Sequence, residues 1–417
     1  MKKLKNSYVI KNELFAKRYK EFKQAGFTGK IDINSMIIKN YTIYGRRRYH
    51  TFFGYYDLQQ LNSDNNKILV LQVGKNANPR YNKAKVFFID LLDGHYHFIC
   101  TTRAWCWQQG ARVRWCDDDN NFILVNKKIK NSFVCQKINI YTKKVSATYP
   151  IAFYDFSFSS KIGLSLDFSR LQTMRPGYGY SSIKDKSISD IAPKIGITKF
   201  ELNSNTLKNI ISLEELSKDV DSNPLDHHYI NHISISPDGT KFIFFHLWAR
   251  NEIDMWKMRL LLSDMDGNVT EIERNEIISH YCWINNDELL VTRINQKKDY
   301  SFIIYNLTTG ERRIINNNYL VQDGHPCILK NRNDFITDTY PDESSFQEIF
   351  ISNIKNGDKK IRLIKIFSDP RLYIEKRCDL HPRLKNKILT IDSTFSDGVR
   401  KVLVMDLIDD IQNKKTL

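Results

Sequence analysis

The stretch His232-Ile-Ser-Ile-Ser-Pro-Asp-Gly-Thr-Lys-Phe-Ile-Phe-Phe-His246 decides the fold. A short apolar strand leads into Pro237-Asp238-Gly239, and a second apolar strand leads out. Proline fixes φ at one turn position and glycine admits positive φ at another. The chain runs on through 258–267 into Val269-Thr-Glu-Ile272, with Asp266-Gly267-Asn268 as a hairpin signal between alternating strands. One unit is therefore strand, turn, strand, and a further strand ending in a polar turn.

The same grammar recurs downstream at 281–310, 325–357 and 381–407. Upstream it recurs from Tyr56-Asp57 through 67–72 and 86–94, then over 111–141. It appears again over 156–202, interrupted by an insertion near 170–196. This makes seven units at a spacing of roughly 45–55 residues, the range of propeller blades, with six as the alternative count. A pair of β-sandwiches is the competing architecture. The common order of signals favours the propeller, because an isolated four-stranded unit buries one face and completes its core by stacking around an axis. The expectation is all-β: a single β-propeller over residues 34–417, preceded by an N-terminal helical extension over 1–33 in which 8–26 form a short helix. The last unit is one strand short, and 37–44 can supply it from the N-terminal side and close the ring.

The composition agrees with this. The chain has 417 residues, 41% of them hydrophobic, 26% charged and 12% aromatic. That is enough for a large buried core, and too aromatic for disorder. No stretch approaches the ~18 apolar residues of a membrane span. The basic, amphipathic N-terminus lacks an apolar h-region and a cleavage site, so no secretory signal is expected. Seven cysteines without a C-x-x-C pair read as reduced thiols, and the protein as cytoplasmic. The net charge is +16, but the basic residues are spread along the chain and Arg46-Arg47-Arg48 is the one tight run. That argues against a nucleic-acid partner and fits an acidic sugar.

Histidines fall at one phase of the repeat. His232, His280, His325 and His381 each stand at or just before a unit's first strand. His50 has a similar place in the first unit, and Gln108-Gln109 in the second. In a propeller the first strand of each blade lines the central channel, so these side chains converge on one mouth. Taken alone, each is more readily a polar residue near a turn; the repetition favours a functional cluster. Neutral imidazoles with Gln or carboxylate suit Mn²⁺, Fe²⁺ or Zn²⁺, and one histidine can stay free as a base. The segment Arg170–Tyr180 sets Arg175, Tyr178 and Tyr180 on a glycine-rich loop that can clamp a carboxylate and stack a sugar ring. Trp105, Trp107 and Trp248 read as packing between blades. His228 is a weaker site candidate, and His95 and His97 are assigned no role.

His232 with its Ser-Pro-Asp-Gly turn, the later blade-entry histidines and the overall repeat resemble oligogalacturonate lyases and TolB-like propellers, over most of 45–408. The resemblance implies a central-channel site that holds Mn²⁺ through His and Gln side chains, with a further His as base. On that pattern His232 matches the base, and His280 and His381 match ligands. His325 is an additional ligand candidate. The family's closely spaced Gln and His ligands are not reproduced around Asp379-Leu-His381-Pro-Arg383. His50, Tyr56, Gln109 and Tyr180 are assigned to substrate binding, and Arg175 to the substrate carboxylate by its location.

The implied reaction is β-elimination on a uronic-acid-containing oligosaccharide. Neutralising the C6 carboxylate acidifies the C5 proton, a neutral His removes it, and the C4–O bond breaks. Tyr178, Tyr180 and Tyr56 are the candidates for protonating the leaving oxygen. Two other readings stay open. One is a non-catalytic propeller that binds a glycan or protein in polysaccharide metabolism or assembly. The other is a glycoside hydrolase or glycosyl-transfer enzyme using two of Asp57, Asp155, Asp338, Asp379 and Asp392, of which no spacing singles out a pair. No nucleophile elbow, P-loop or dinucleotide fingerprint is present.

Overall fold

Seven antiparallel sheets follow one another along the chain as the blades of a β-propeller. The computed structural model describes residues 31–408 apart from 118, 253–255, 296, 298, 316–317, 356–359 and 395–396. The expected helix at 8–26 lies outside the described residues. Blades 1 to 5 are built from residues 49–102, 114–149, 155–211, 227–273 and 277–315, each as four strands in sequence order. Blade 6 takes its inner four strands from 327–367. Ile31–Ile33 pairs antiparallel with Ile361–Phe367 as its fifth, outermost strand. Blade 7 has three strands from 383–407.

The ring closes as expected from the sequence. Ile38–Tyr44 pairs with Arg400–Leu407 in the register Ile38↔Leu407 to Tyr44↔Val402, and so completes blade 7 from the N-terminal side. Hydrogen bonds between the two ends of the chain replace what would otherwise be an open sheet edge.

Each blade is sandwiched between two others, so its middle strands bury both faces and read as continuous apolar runs. Phe242, Ile243, Phe244 and Phe245 are all buried for this reason. Between blades 6 and 7, Ile336, Ile349 and Ile364 pack on Leu389, Ile391 and Leu403. Between blades 7 and 1, Val402 and Tyr44 pack on Ile68, Val70 and Ile89. The decisive turn forms as read: the Gly239 amide donates to the Ser236 carbonyl at 2.9 Å, and Gly239 has φ +77°.

Blade 1 begins earlier than its sequence suggests. Its inner strand is Tyr49–Phe52, not the Tyr56-Asp57 stretch. Tyr-His-Thr-Phe is too short and polar to read as an apolar strand, yet His50, Thr51 and Phe52 are buried between blades. Tyr55 and Tyr56 are thereby free of the sheet and enter the axis. The insertion in blade 3 carries helix α1 (Phe168–Met174), started by Asp167, whose carboxylate accepts from the Ser169 and Arg170 amides. The chain leaves α1 through Arg175 and Tyr178 beside the channel.

Candidate functional site

Local irregularities aim the histidines. The pairing of His227–Ile235 with its neighbour shifts register between Asn231 and Ser234, and that of Ile277–Trp283 shifts between Ile278 and His280. An extra residue at such a bulge re-aims the side chains around it. His232 (φ 55°) and His381 (φ 48°) occupy the left-handed region, where residues other than glycine are uncommon. The surroundings pin both. The His232 amide donates to Tyr154 Oη and Asn231 Oδ1, and the His381 amide donates to Asp338 Oδ2 at 3.1 Å. Strain of this kind concentrates at functional positions.

The four blade-entry histidines are buried and meet at one place. His280 and His325 have ring centroids 3.9 Å apart, and His325 and His381 4.4 Å. The ring that touches all four is Tyr55, at 5.3 Å from His232, 4.8 Å from His381, 6.1 Å from His325 and 6.5 Å from His280.

Three of the four have their Nδ1 engaged by an acceptor. His280 donates to Asp323 at 2.9 Å, His325 to Asp338 at 2.9 Å, and His381 to the Gly54 carbonyl at 2.7 Å. Such partners fix the tautomer and leave Nε2 as the ligand nitrogen. The Nε2 atoms of His325 and His381 are buried without a partner. One ligand atom from each of these two, together with an Asp379 carboxylate oxygen, lies within 4.8 Å of the others. Two imidazoles and a carboxylate, with orphaned nitrogens, fit a divalent cation of the Mn²⁺, Fe²⁺ or Zn²⁺ type. His280 stands beside this group rather than in it.

The charges are set to match. Burial would raise the Asp379 pKa, but Arg377 outweighs it and the carboxyl lies below its ordinary value. Arg377 Nε donates to Asp379 Oδ1 at 2.7 Å, and Nη2 donates to Oδ2 at 2.7 Å. Burial would lower His325, but Asp338 raises it above the ordinary value, the mark of a basic nitrogen. Burial pushes His381 well down, helped by His325 and Arg383. His232 is also driven well below its ordinary value, by burial first and then by the Arg175 charge, so it is neutral at pH 7. Its Nδ1 is buried and unpartnered.

Arg175 and Tyr178 join this cluster. The Arg175 guanidinium lies 4.8 Å from the Tyr178 ring centroid and 4.5 Å from that of Trp256, and its Nε has no partner. Arg377 Nη2 reaches Tyr178 Oη at 3.4 Å. Tyr56 is present too, but its hydroxyl is taken by the Tyr281 amide at 2.9 Å. Gln109 lies one layer behind His232, donating to Tyr154 Oη and Asn231 Oδ1. Its neighbour Gln108 donates to the Glu375 and Arg377 carbonyls and so holds the loop that carries Arg377.

The structure does not bring His50 or Tyr180 to the cluster. His50 bridges blades 1 and 7, between the Lys75 carbonyl and the Arg400 amide. Tyr180 stacks on Phe168 at 4.2 Å and accepts from Asn126, beneath α1. The sequence reading missed Tyr55, Arg377, and the orienting roles of Asp323 and Asp338. Asp379 entered it as one of five candidate hydrolytic carboxylates, and the structure gathers it with His325 and His381. A signal existed: Asp-x-His occurs at both 323–325 and 379–381.

The sequence matches no family model and no curated protein. Solved structures do match. An oligogalacturonate lyase in complex with manganese superposes with a TM-score of 0.63 at 13% identity, over 92% of this chain and 99% of that one. The oligogalacturonate lyase of Vibrio parahaemolyticus gives 0.62 at 14% identity, over 91% and 97%. TolB from Acinetobacter baumannii overlaps more loosely, at 0.37 and 14% identity over 73% and 64% of the two chains, and no argument rests on it. The two lyases share this chain's fold across nearly its whole length.

Proposed function

We propose that the cluster cleaves uronic-acid-containing oligosaccharides by β-elimination, with His232 as the base. One observation carries this reading. A neutral histidine with a free, buried nitrogen stands beside an arginine, across Tyr55 from the His325–Asp379–His381 group. Removing a proton next to a carboxylate requires a neutral base and positive charge on that carboxylate. The arrangement offers both.

Arg175 has an unused donor and binds the sugar carboxylate, held in place over the Tyr178 and Trp256 rings. A divalent cation held by His325, Asp379 and His381 would add positive charge next to that carboxylate. His232 takes the C5 proton, and the C4–O bond then breaks to leave an unsaturated sugar. The hydrogen bond between Tyr178 and Arg377 is long at 3.4 Å. A net charge of +16 draws an acidic substrate toward the protein. The fold shared with two oligogalacturonate lyases supports the same reading.

The carboxylates weigh against hydrolysis. Asp57 pairs with Arg112, Asp155 with Arg114, Asp338 with His325, Asp379 with Arg377 and Asp392 with Arg383. A glycosidase needs one such group protonated at neutral pH. The test is incubation with a panel of uronate oligosaccharides and Mn²⁺, following the ultraviolet absorbance of the conjugated product. New reducing ends without that absorbance would mean hydrolysis. Binding without turnover would make the protein a glycan-binding propeller.

A further inference from the structure

Four tyrosines near the histidines have their hydroxyls engaged. Tyr56 Oη accepts from the Tyr281 amide, Tyr154 Oη bonds to Gln109 and Asn231, Tyr281 Oη donates to Asp57, and Tyr178 Oη accepts from Arg377. The Tyr55 hydroxyl is buried and has no partner. A buried hydroxyl left unpaired is costly and calls for an explanation. The Tyr55 ring also stacks on His232 at an interplanar angle of 26° and meets His381 nearly edge-on at 67°. It therefore lies against both the base and the cation-binding group.

We infer that Tyr55 is the catalytic acid, donating its hydroxyl proton to the departing glycosidic oxygen. This rests on the elimination reading above and adds the second proton transfer. His232 removes the C5 proton, and the electron pair left on C5 spreads into the carboxylate. That pair then forms the C4=C5 double bond as the C4–O bond breaks. The departing oxygen takes the Tyr55 proton and leaves as an alcohol. His232 ends as imidazolium and Tyr55 as phenolate, and return of one proton from the first to the second restores both.

The surroundings suit that cycle. A phenol, ordinarily titrating at about 10, carries its proton at neutral pH. Arg175 interacts electrostatically with Tyr55 and stabilises the phenolate once it forms. His232 is the stacked neighbour of Tyr55, with ring centroids 5.3 Å apart.

The experiment compares wild type with Tyr55→Phe on oligogalacturonate and on a uronide whose 4-substituent is an activated phenol, a leaving group that needs no proton. Folding is checked by melting, and the site by Mn²⁺ binding. The expected result is a loss of kcat of at least 100-fold on oligogalacturonate with KM nearly unchanged. The aryl substrate should be cleaved within a few-fold of wild type. Equal losses on both substrates would overturn the acid role and leave a packing role. So would full activity on both. If wild type forms no unsaturated product from either, the elimination reading itself fails, and this role with it. If the phenylalanine variant melts early, Tyr55→Trp, scored by the same ratio between the two substrates, decides the matter.

Discussion

His325 and His381 meet edge to face at 89°, each with Nδ1 engaged and Nε2 buried without a partner. They come from the entries of neighbouring blades and are tied together by Asp338, whose carboxylate accepts from both backbone amides and from His325 Nδ1. One buried carboxylate therefore sets the position of two histidines.

That relationship predicts where the cation binds. His381→Ala should lower Mn²⁺ binding at least tenfold by calorimetry, since losing an orienting partner alone typically costs 10–100-fold. His280→Ala, outside the compact group, should cost less. Equal losses in the two variants would place His280 among the ligands.

His232→Ala separates chemistry from metal binding. Turnover should fall by roughly 10²–10⁴-fold, the usual worth of a general base. Cation content measured by plasma mass spectrometry should match wild type. Retained turnover would remove His232 from the reaction.

Closure of the ring gives a stability prediction. Ile38 and Leu407 are buried and paired in register. Ile38→Ala and Leu407→Ala should each cost roughly 2–4 kcal/mol. Because the two side chains are neighbours, the double variant should cost less than the sum. Chemical denaturation measures this, and a loss under about 0.5 kcal/mol from Ile38→Ala would show that the closing strand contributes little.

Two histidines away from the cluster predict acid sensitivity. Burial lowers His50 and His228 from 6.5 to about 4. The unfolded chain binds these protons at higher pH than the folded one, so stability falls as pH drops from about 6.5 toward about 4. His50 contributes roughly 3 kcal/mol to that loss. His325, raised in the fold, acts in the opposite direction. Melting temperature against pH should fall through this window and fall less steeply for His50→Gln. An unchanged slope would show that His50 does not titrate there.

The blades were legible because each strand-turn-strand unit obeys local rules, as Ser236–Gly239 shows. The convergence of His232, His280, His325 and His381 was legible because equal phase in a closed ring means equal position. Equal phase did not place Gln109 or His50 in the cluster. Side chains alternate across a strand, so a shift of one residue turns a group from the channel to the interior. The bulges beside His232 and His280 impose such shifts, and no local signal announces them.

The order of residues determined the number of blades, the strand that seals the ring, and the level at which imidazoles gather. Those follow from hydrophobic period and turn chemistry, which act over a few residues. Only the tertiary structure decided that Tyr55 meets all four histidines, that Asp379 gathers with His325 and His381, and that burial pushes His232 down. These depend on burial and on charges brought together from blades hundreds of residues apart, and neither is written in any one segment.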